Sequence, residues 1–260
     1  MSATDRVIPL EGIHNFRDYG GYQARGGRIR RGVLWRSGQH AGALADDLEK
    51  VHGLGIRTVI DLRGDSEREL YPCARHGAFD ADVLFEPGET AGLRGRAVHE
   101  ESGAIVTAAD AHTAMVALYR TLPWRPVLVG TYRLYLGALA DRPGPSLLHC
   151  LAGKDRTGVA AALVHDLLGV HPDDVMEDYL LTNVAGNIER RIAAGAAHLR
   201  EGRPGIEDAA IRALMGVHPE FLETALSAIH ERHGSVEDYA ADVLGFTPGQ
   251  REALAAQLVE

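Results

Sequence analysis

Cys150 and Arg156 are separated by five residues in the segment Leu147–Gly158, LLHCLAGKDRTG, and a thiol and a guanidinium across so short a loop can grip and attack a phosphate ester. The segment joins an apolar run to Thr157–Leu168, whose periodicity is helical, so the cysteine is placed at a helix N-terminus. Backbone N–H groups there offer donors and a positive partial charge to a phosphate dianion. Leu151, Ala152, Gly153, Lys154 and the residues up to Arg156 can supply them, with Gly153 relaxing the backbone between the two reactive groups. Arg156 adds a planar fork that matches two phosphate oxygens, a geometry lysine cannot reproduce. The same field favours the thiolate, the form in which Cys150 would attack phosphorus. His149 is placed to orient the loop, and the Thr157 hydroxyl to hydrogen-bond the sulfur as it leaves.

Other chemistries fail at specific positions. A nucleotide-binding P-loop needs glycine where Leu148 stands and serine or threonine where Asp155 stands. A Cys–His protease leaves the arginine and the strand–loop–helix context unexplained, although 13 histidines keep it open by inventory. No H-E-x-x-H occurs, and His230 and His233, one helical turn apart without further ligands, read as surface residues, so neither metal nor cofactor is expected. The plain alternative is an inert buried Cys150 beside a solvated Arg156.

The rest of the chain sets limits on the ligand. With 260 residues and 45 % hydrophobic content there is ample material for a sizeable core. The formal net charge of −9 argues against nucleic-acid binding, so an anionic ligand must be held by a local basic cluster. No apolar run approaches the roughly 18 residues of a membrane span, and MSATDRVIPLEG lacks the regions of a signal peptide. The expected location is cytoplasmic, or outside the cell by export without a recognisable signal. Two cysteines make no disulfide framework; Cys73 reads as a small side chain, with disulfide protection of Cys150 as the alternative.

Elements that must position the loop are legible from pattern. His14–Tyr22 and Arg25-Gly26-Gly27 form turns of a hairpin region whose second strand covers Arg28–Trp35 and ends at Arg36-Ser37-Gly38. Leu44–Val51 is helical, Ile56–Leu62 is a buried strand broken at Arg63-Gly64-Asp65-Ser66, and Val83–Phe85 is a weaker strand. Glu86–Gly103 has no period and is expected to wander over the surface. Ala108–Leu122 and Val127–Ala140 are helices split by Pro123 and Pro126, and Ser146–His149 is the strand that leads into the loop. Beyond it all segments read helical: Pro172–Leu181, Ile188–Leu199, Ile206–Met215, Glu220–His233, Val236–Leu244 and Pro248–Leu258. Strands and helices alternate first and helices alone follow, so the expected fold class is α/β, a mainly parallel central sheet flanked by helices with a helical C-terminal part.

HCLAGKDRTG resembles the active-site loop of the cysteine-dependent protein tyrosine phosphatase superfamily, and its GKDRTG ending is similar to a bacterial branch acting on phosphotyrosine and phosphoinositides. The resemblance extends over most of the chain, through NFRDYGGY at Asn15–Tyr22, RRGVLWRSG at Arg30–Gly38, GIRTVIDLRGDSERE at Gly55–Glu69 and DYLLTN at Asp178–Asn183. It implies a single phosphatase domain over 1–260, with Cys150 as nucleophile and Arg156 as phosphate binder in a reaction through a phosphocysteine that water hydrolyses. The implied partner is a phosphoprotein, phosphotyrosine first and phosphoserine or phosphothreonine besides, or a phosphoinositide headgroup. A phosphate-recognising module without turnover is the rival, but such relatives usually lose the cysteine or the arginine.

No Trp-Pro-Asp is present to supply the general acid, since Trp124 is followed by Arg125. Asp155, inside the loop, is preferred because the resembling branch is thought to use its loop aspartate. Asp61, at the carboxyl end of a strand where α/β sheets gather their sites, is the competitor, unless it pairs structurally with Arg63. Lys154 could reach an additional phosphate, as in similar phosphatases that act on phosphoinositides. Arg17, Arg36 and Arg63 follow turns or strand ends on one rim, each either a substrate contact or a structural ion pair. The charged and apolar helices of 186–219 form either a lid, as in the resembling branch, or an ordinary amphipathic pair.

Overall fold

The computed structural model describes residues 3–90, 105–203 and 205–260, so most of the Glu86–Gly103 segment lies outside the described residues. Its centre is β7 (Ser146–His149), a run of small and apolar residues buried along its whole length. On one side β7 pairs in parallel with β5 (Thr58–Asp61), which carries β6 (Asp82–Leu84), also parallel. On the other it pairs in parallel with β4 (Leu34–Ser37), and β1 (Arg17–Asp18) closes that edge antiparallel.

Both faces of the sheet are covered, and β4, β5 and β7 are buried along their whole lengths. Side chains alternate between the faces. Leu34, Ile60 and Leu148 join the main core under α3 (Ala108–Thr121), α4 (Pro126–Asp141) and α5 (Asp155–Leu167), whereas Trp35, Val59 and Leu147 pack with Leu10, Ile13 and Phe16. α1 (Ala45–His52) adds Val51 to that second cluster. α5 is buried nearly all round, from Thr157 to His165, so it behaves as a core helix, not a surface one.

Register places the chemistry. Ser37 and Asp61 flank His149 in one row across β4, β7 and β5, and Cys150 is the next residue beyond their carboxyl ends. α6 (Pro172–Leu180), α7 (Thr182–Ala185), α8 (Ile188–Gly202), α9 (Asp208–Met215), α10 (Pro219–His233), α11 (Val236–Asp242) and α12 (Pro248–Leu258) form the helical C-terminal part. Glu260 exchanges both backbone hydrogen bonds with Arg28, at 2.8 and 2.9 Å, tying the last residue to the hairpin of β2 (Gln23–Ala24) and β3 (Gly27–Arg28). Among the described residues no helix is long and apolar enough to cross a membrane.

Three expectations change. The strand expected over Arg28–Trp35 is interrupted, because the Asp18 carboxylate accepts from the Gly32 amide (2.8 Å) and pairs with Arg31 (2.8 Å), bending the chain where Gly32 takes φ +74°. The break expected at Asp65-Ser66 instead opens α2 (Asp65–Leu70), whose Glu67 side chain accepts from the Gly64 amide at 3.0 Å. α5 begins at Asp155, two residues before the expected start, which puts that carboxylate in the first helical turn.

Candidate active site

The loop after β7 is folded by contacts to its carbonyls. Leu151 O accepts from the Gln39 amide (3.1 Å), while Gly153 O accepts from Asn15 Nδ2 (2.6 Å) and Arg36 Nη2 (3.2 Å). In a trans peptide the following N–H points opposite to the carbonyl, so the Ala152 and Lys154 amides face away from these donors. Gly153 has φ +66°, and a Cβ there would sit 2.4 Å from the Ser37 carbonyl carbon and oxygen. Asn15 itself takes φ +61°, a region asparagine tolerates better than most residues.

Cys150 is buried at 2 % exposure and, like Cys73, is a free thiol. Cys73 Sγ accepts from the His40 amide at 3.4 Å. Thr157 Oγ is buried with no hydrogen-bond partner among the described residues. His149 sets its Nδ1 3.4 Å from the Cys150 carbonyl oxygen, and burial pushes its pKa down to about 4, so the ring is neutral near pH 7.

Arg156 is held by residues far away in sequence. Glu67 takes it end-on, through Nη2 at 2.8 Å and through Nη1, while Nη1 also donates to Thr90 Oγ (2.6 Å) and Leu62 O (3.2 Å). A guanidinium has five N–H donors. Among the described residues this leaves Nε–H and one Nη2–H, the side-on pair that fits two phosphate oxygens. Burial lowers the pKa of Arg156, but the Glu67 hydrogen bonds and the neighbouring Cys150 outweigh it and raise it; burial raises that of Glu67, and Arg156 brings it below its ordinary value.

The two candidate acids have different surroundings. Asp61 is buried and chelated by Arg63, with Nε at 2.8 Å from Oδ1 and Nη2 at 2.7 Å from Oδ2. Burial disfavours its charge, yet nearby His149 and the Arg63 contacts prevail and hold its pKa at about 2. Asp155 keeps a partly exposed side chain, accepts from Tyr119 Oη at 2.8 Å and lies 3.4 Å from Lys154 Nζ.

Of the two roles open to the rim arginines, substrate contact or structural ion pair, the structure shows ion pairs. Arg17 (Nε, 3.0 Å) and Arg36 (Nη1, 2.5 Å) bracket the Asp178 carboxylate, all three fully buried, and the pairing holds that carboxyl well below its usual range although burial opposes it. Arg36 braces the loop from behind through the Gly153 carbonyl, and Arg17 does so through Asn15, which donates to the same carbonyl. Arg63 is taken up by Asp61 and by the Tyr71 carbonyl (2.6 Å). Lys154 is 3 % exposed and donates to the Leu214 carbonyl of α9 at 2.6 Å.

Glu67, Thr90, Tyr119, Asp178 and Asn15 are given no catalytic or substrate-binding role by the sequence. Asn15, Glu67 and Asp178 lie in segments that carry the family resemblance, which marks them without giving their contacts. Away from the loop, His112, His218 and Glu220 bring donor atoms within 4.8 Å of one another, but His218 Nδ1 accepts the Glu220 amide as a helix cap, leaving its proton on Nε2.

Over 91 % of its length the chain is 33 % identical to a Cupriavidus necator protein named as a candidate tyrosine-protein phosphatase, covering 84 % of that relative. Over the same share it is 29 % identical to the triple specificity protein phosphatase PtpB of Mycobacterium tuberculosis, covering 93 % of it. Among solved structures, TpbA of P. aeruginosa aligns at 19 % identity over 71 % of this chain and 86 % of its own, with a TM-score of 0.30, too distant to bear on the site. The model of the tyrosine phosphatase family matches residues 8–260, around the same Cys150–Arg156 loop, and the chain belongs to that family.

Proposed function

We propose that this tyrosine phosphatase works through a phosphocysteine on Cys150, with Asp155 as the proton carrier. The observation that carries the reading is the Arg156 guanidinium, held end-on by Glu67 with its side-on donors left over, beside a cysteine at the N-terminus of α5. Phosphate oxygens would lie against the loop amides of 151–156 and the Nε/Nη2 edge of Arg156. The Cys150 thiolate attacks phosphorus, the bond to the leaving oxygen breaks, and Asp155 gives that oxygen its proton. Water then attacks the phosphocysteine, surrenders a proton to the Asp155 carboxylate, and the P–S bond breaks to release phosphate and the thiolate. The unpartnered Thr157 hydroxyl supports a hydrogen bond to the departing sulfur. Asp61 fits a structural role, since a carboxyl with pKa about 2, chelated by arginine, carries almost no proton near neutrality.

Phosphotyrosine is the substrate class that membership of the tyrosine phosphatase family supports. Phosphoserine and phosphothreonine are supported by the likeness to a triple specificity relative, whereas phosphoinositides would require Lys154 to leave the Leu214 carbonyl. That lysine joins the loop to α9, so 186–219 acts as a cover whose position is tied to it. A panel of phosphopeptides and phosphoinositides assayed with wild type, Cys150→Ser and Lys154→Ala tests the reading. Cys150→Ser is expected to bind phosphopeptide without turnover; retained hydrolysis would remove the nucleophile. Loss on lipids alone in Lys154→Ala would add phosphoinositides to the substrates.

A further inference from the structure

We infer that Tyr119, backed by Tyr179, is a positioning residue for proton delivery: it fixes Asp155 through one carboxyl oxygen, Oδ1, and reserves the other, Oδ2, for the substrate. This rests on the reading of Asp155 as the proton carrier.

The hydrogen bonds run in one direction. Tyr179 Oη donates to Tyr119 Oη at 2.7 Å, and Tyr119 Oη donates to Asp155 Oδ1 at 2.8 Å. A phenol has a single proton, and because Tyr119 already accepts from Tyr179, its own proton is committed to Asp155. The Lys154 ammonium lies 3.4 Å from the same Oδ1. Oδ2 has no such contact among the described residues. In the first step the transferable proton therefore sits on Oδ2 while Oδ1, as the carbonyl oxygen, accepts from Tyr119; in the second, Oδ2 takes the proton of the attacking water. Tyr119 donates to Oδ1 throughout and is not consumed.

The pair is anchored to the helix it serves. Tyr119 and Tyr179 are both buried, and the Tyr179 ring lies so close to the first turn of α5 that a Cβ on Gly158 would meet its ring carbons at 2.9 and 3.0 Å. Burial, with Asp155 nearby, pushes both phenols well above their ordinary range, so they remain protonated donors across the working pH of such an enzyme.

The test compares kcat/KM for an aryl phosphate with a good leaving group, para-nitrophenyl phosphate, and for an alkyl phosphate, which depends on protonation. Tyr119→Phe removes one oxygen and is expected to lower the alkyl value about 10-fold and the aryl value less than about 2-fold, a fraction of the roughly 10²-fold or more that general acid catalysis supplies. Tyr179→Phe should move both in the same sense by less. A merely structural role would slow both substrates alike, and that result, or unchanged kcat/KM for both, would overturn the inference if Asp155→Asn retains the leaving-group selectivity. Asp155→Asn without selectivity would instead remove Asp155 as the proton carrier, and this inference with it.

Discussion

Arg156 carries a charge and a shape, and the two can be separated. Lysine in its place would keep the charge but could neither sit end-on against Glu67 nor present two parallel donors to phosphate. Arg156→Lys is expected to lower kcat/KM by about 10²–10³, the usual loss when a donor to the developing charge is removed; steady-state kinetics on phosphotyrosine peptides that came out near wild type would refute the assignment. Cys150 and Arg156 were legible because a loop brings together residues that are near one another in the chain. Glu67 reaches Arg156 across 89 residues and Tyr119 reaches Asp155 across 36, distances that only tertiary packing closes and that no local pattern announces. The sequence leaves the rim arginines open between two roles for a related reason: Arg17 and Arg36 lie at strand ends beside the loop, and it is Asp178, far along the chain on α6, that makes them structural ion pairs.

β7, the loop and α5 work as one piece whose tightest point is Gly153. A side chain there would need a left-handed φ at a cost of roughly 1–2 kcal/mol, and its Cβ would collide with the Ser37 backbone on β4. Gly153→Ala is expected to destabilise the fold by about 2 kcal/mol or more and to abolish turnover by moving the Lys154 and Asp155 backbone. Urea unfolding and kinetics check this together, and a variant with wild-type stability and activity would contradict the account of the loop. The strands and long helices were readable because burial on two faces or on one stripe leaves a periodic trace. α2 was not: Arg63-Gly64-Asp65-Ser66 has the composition of a turn, and it becomes a helix start because the Glu67 carboxylate accepts from the Gly64 amide while binding Arg156.

Across the whole molecule, the groups behind the loop make stability depend on pH in two windows. His149 titrates near 6.5 when exposed and near 4 when folded, because burial disfavours its charged form. Above pH 6.5 neither state is protonated; as pH falls from 6.5 to 4 the unfolded chain takes up a proton the folded one refuses, and stability declines. A shift of that size corresponds to on the order of 3 kcal/mol. Asp61 adds a separate loss at lower pH, between its ordinary 3.8 and its folded value of about 2, where the unfolded chain takes up a proton that the folded carboxylate, paired with Arg63, refuses. Urea midpoints measured between pH 7 and 4 are expected to fall for wild type and to fall less steeply for His149→Asn; parallel slopes would show that His149 is not the group responsible.

The central claim, that phosphate is transferred to Cys150 before water removes it, can be tested by stopping the reaction. Enzyme mixed rapidly with a radiolabelled phosphotyrosine peptide and quenched in acid is expected to carry label on the fragment containing Cys150, with none in Cys150→Ser. Label on a different residue, or turnover by Cys150→Ser at the wild-type rate, would contradict the mechanism.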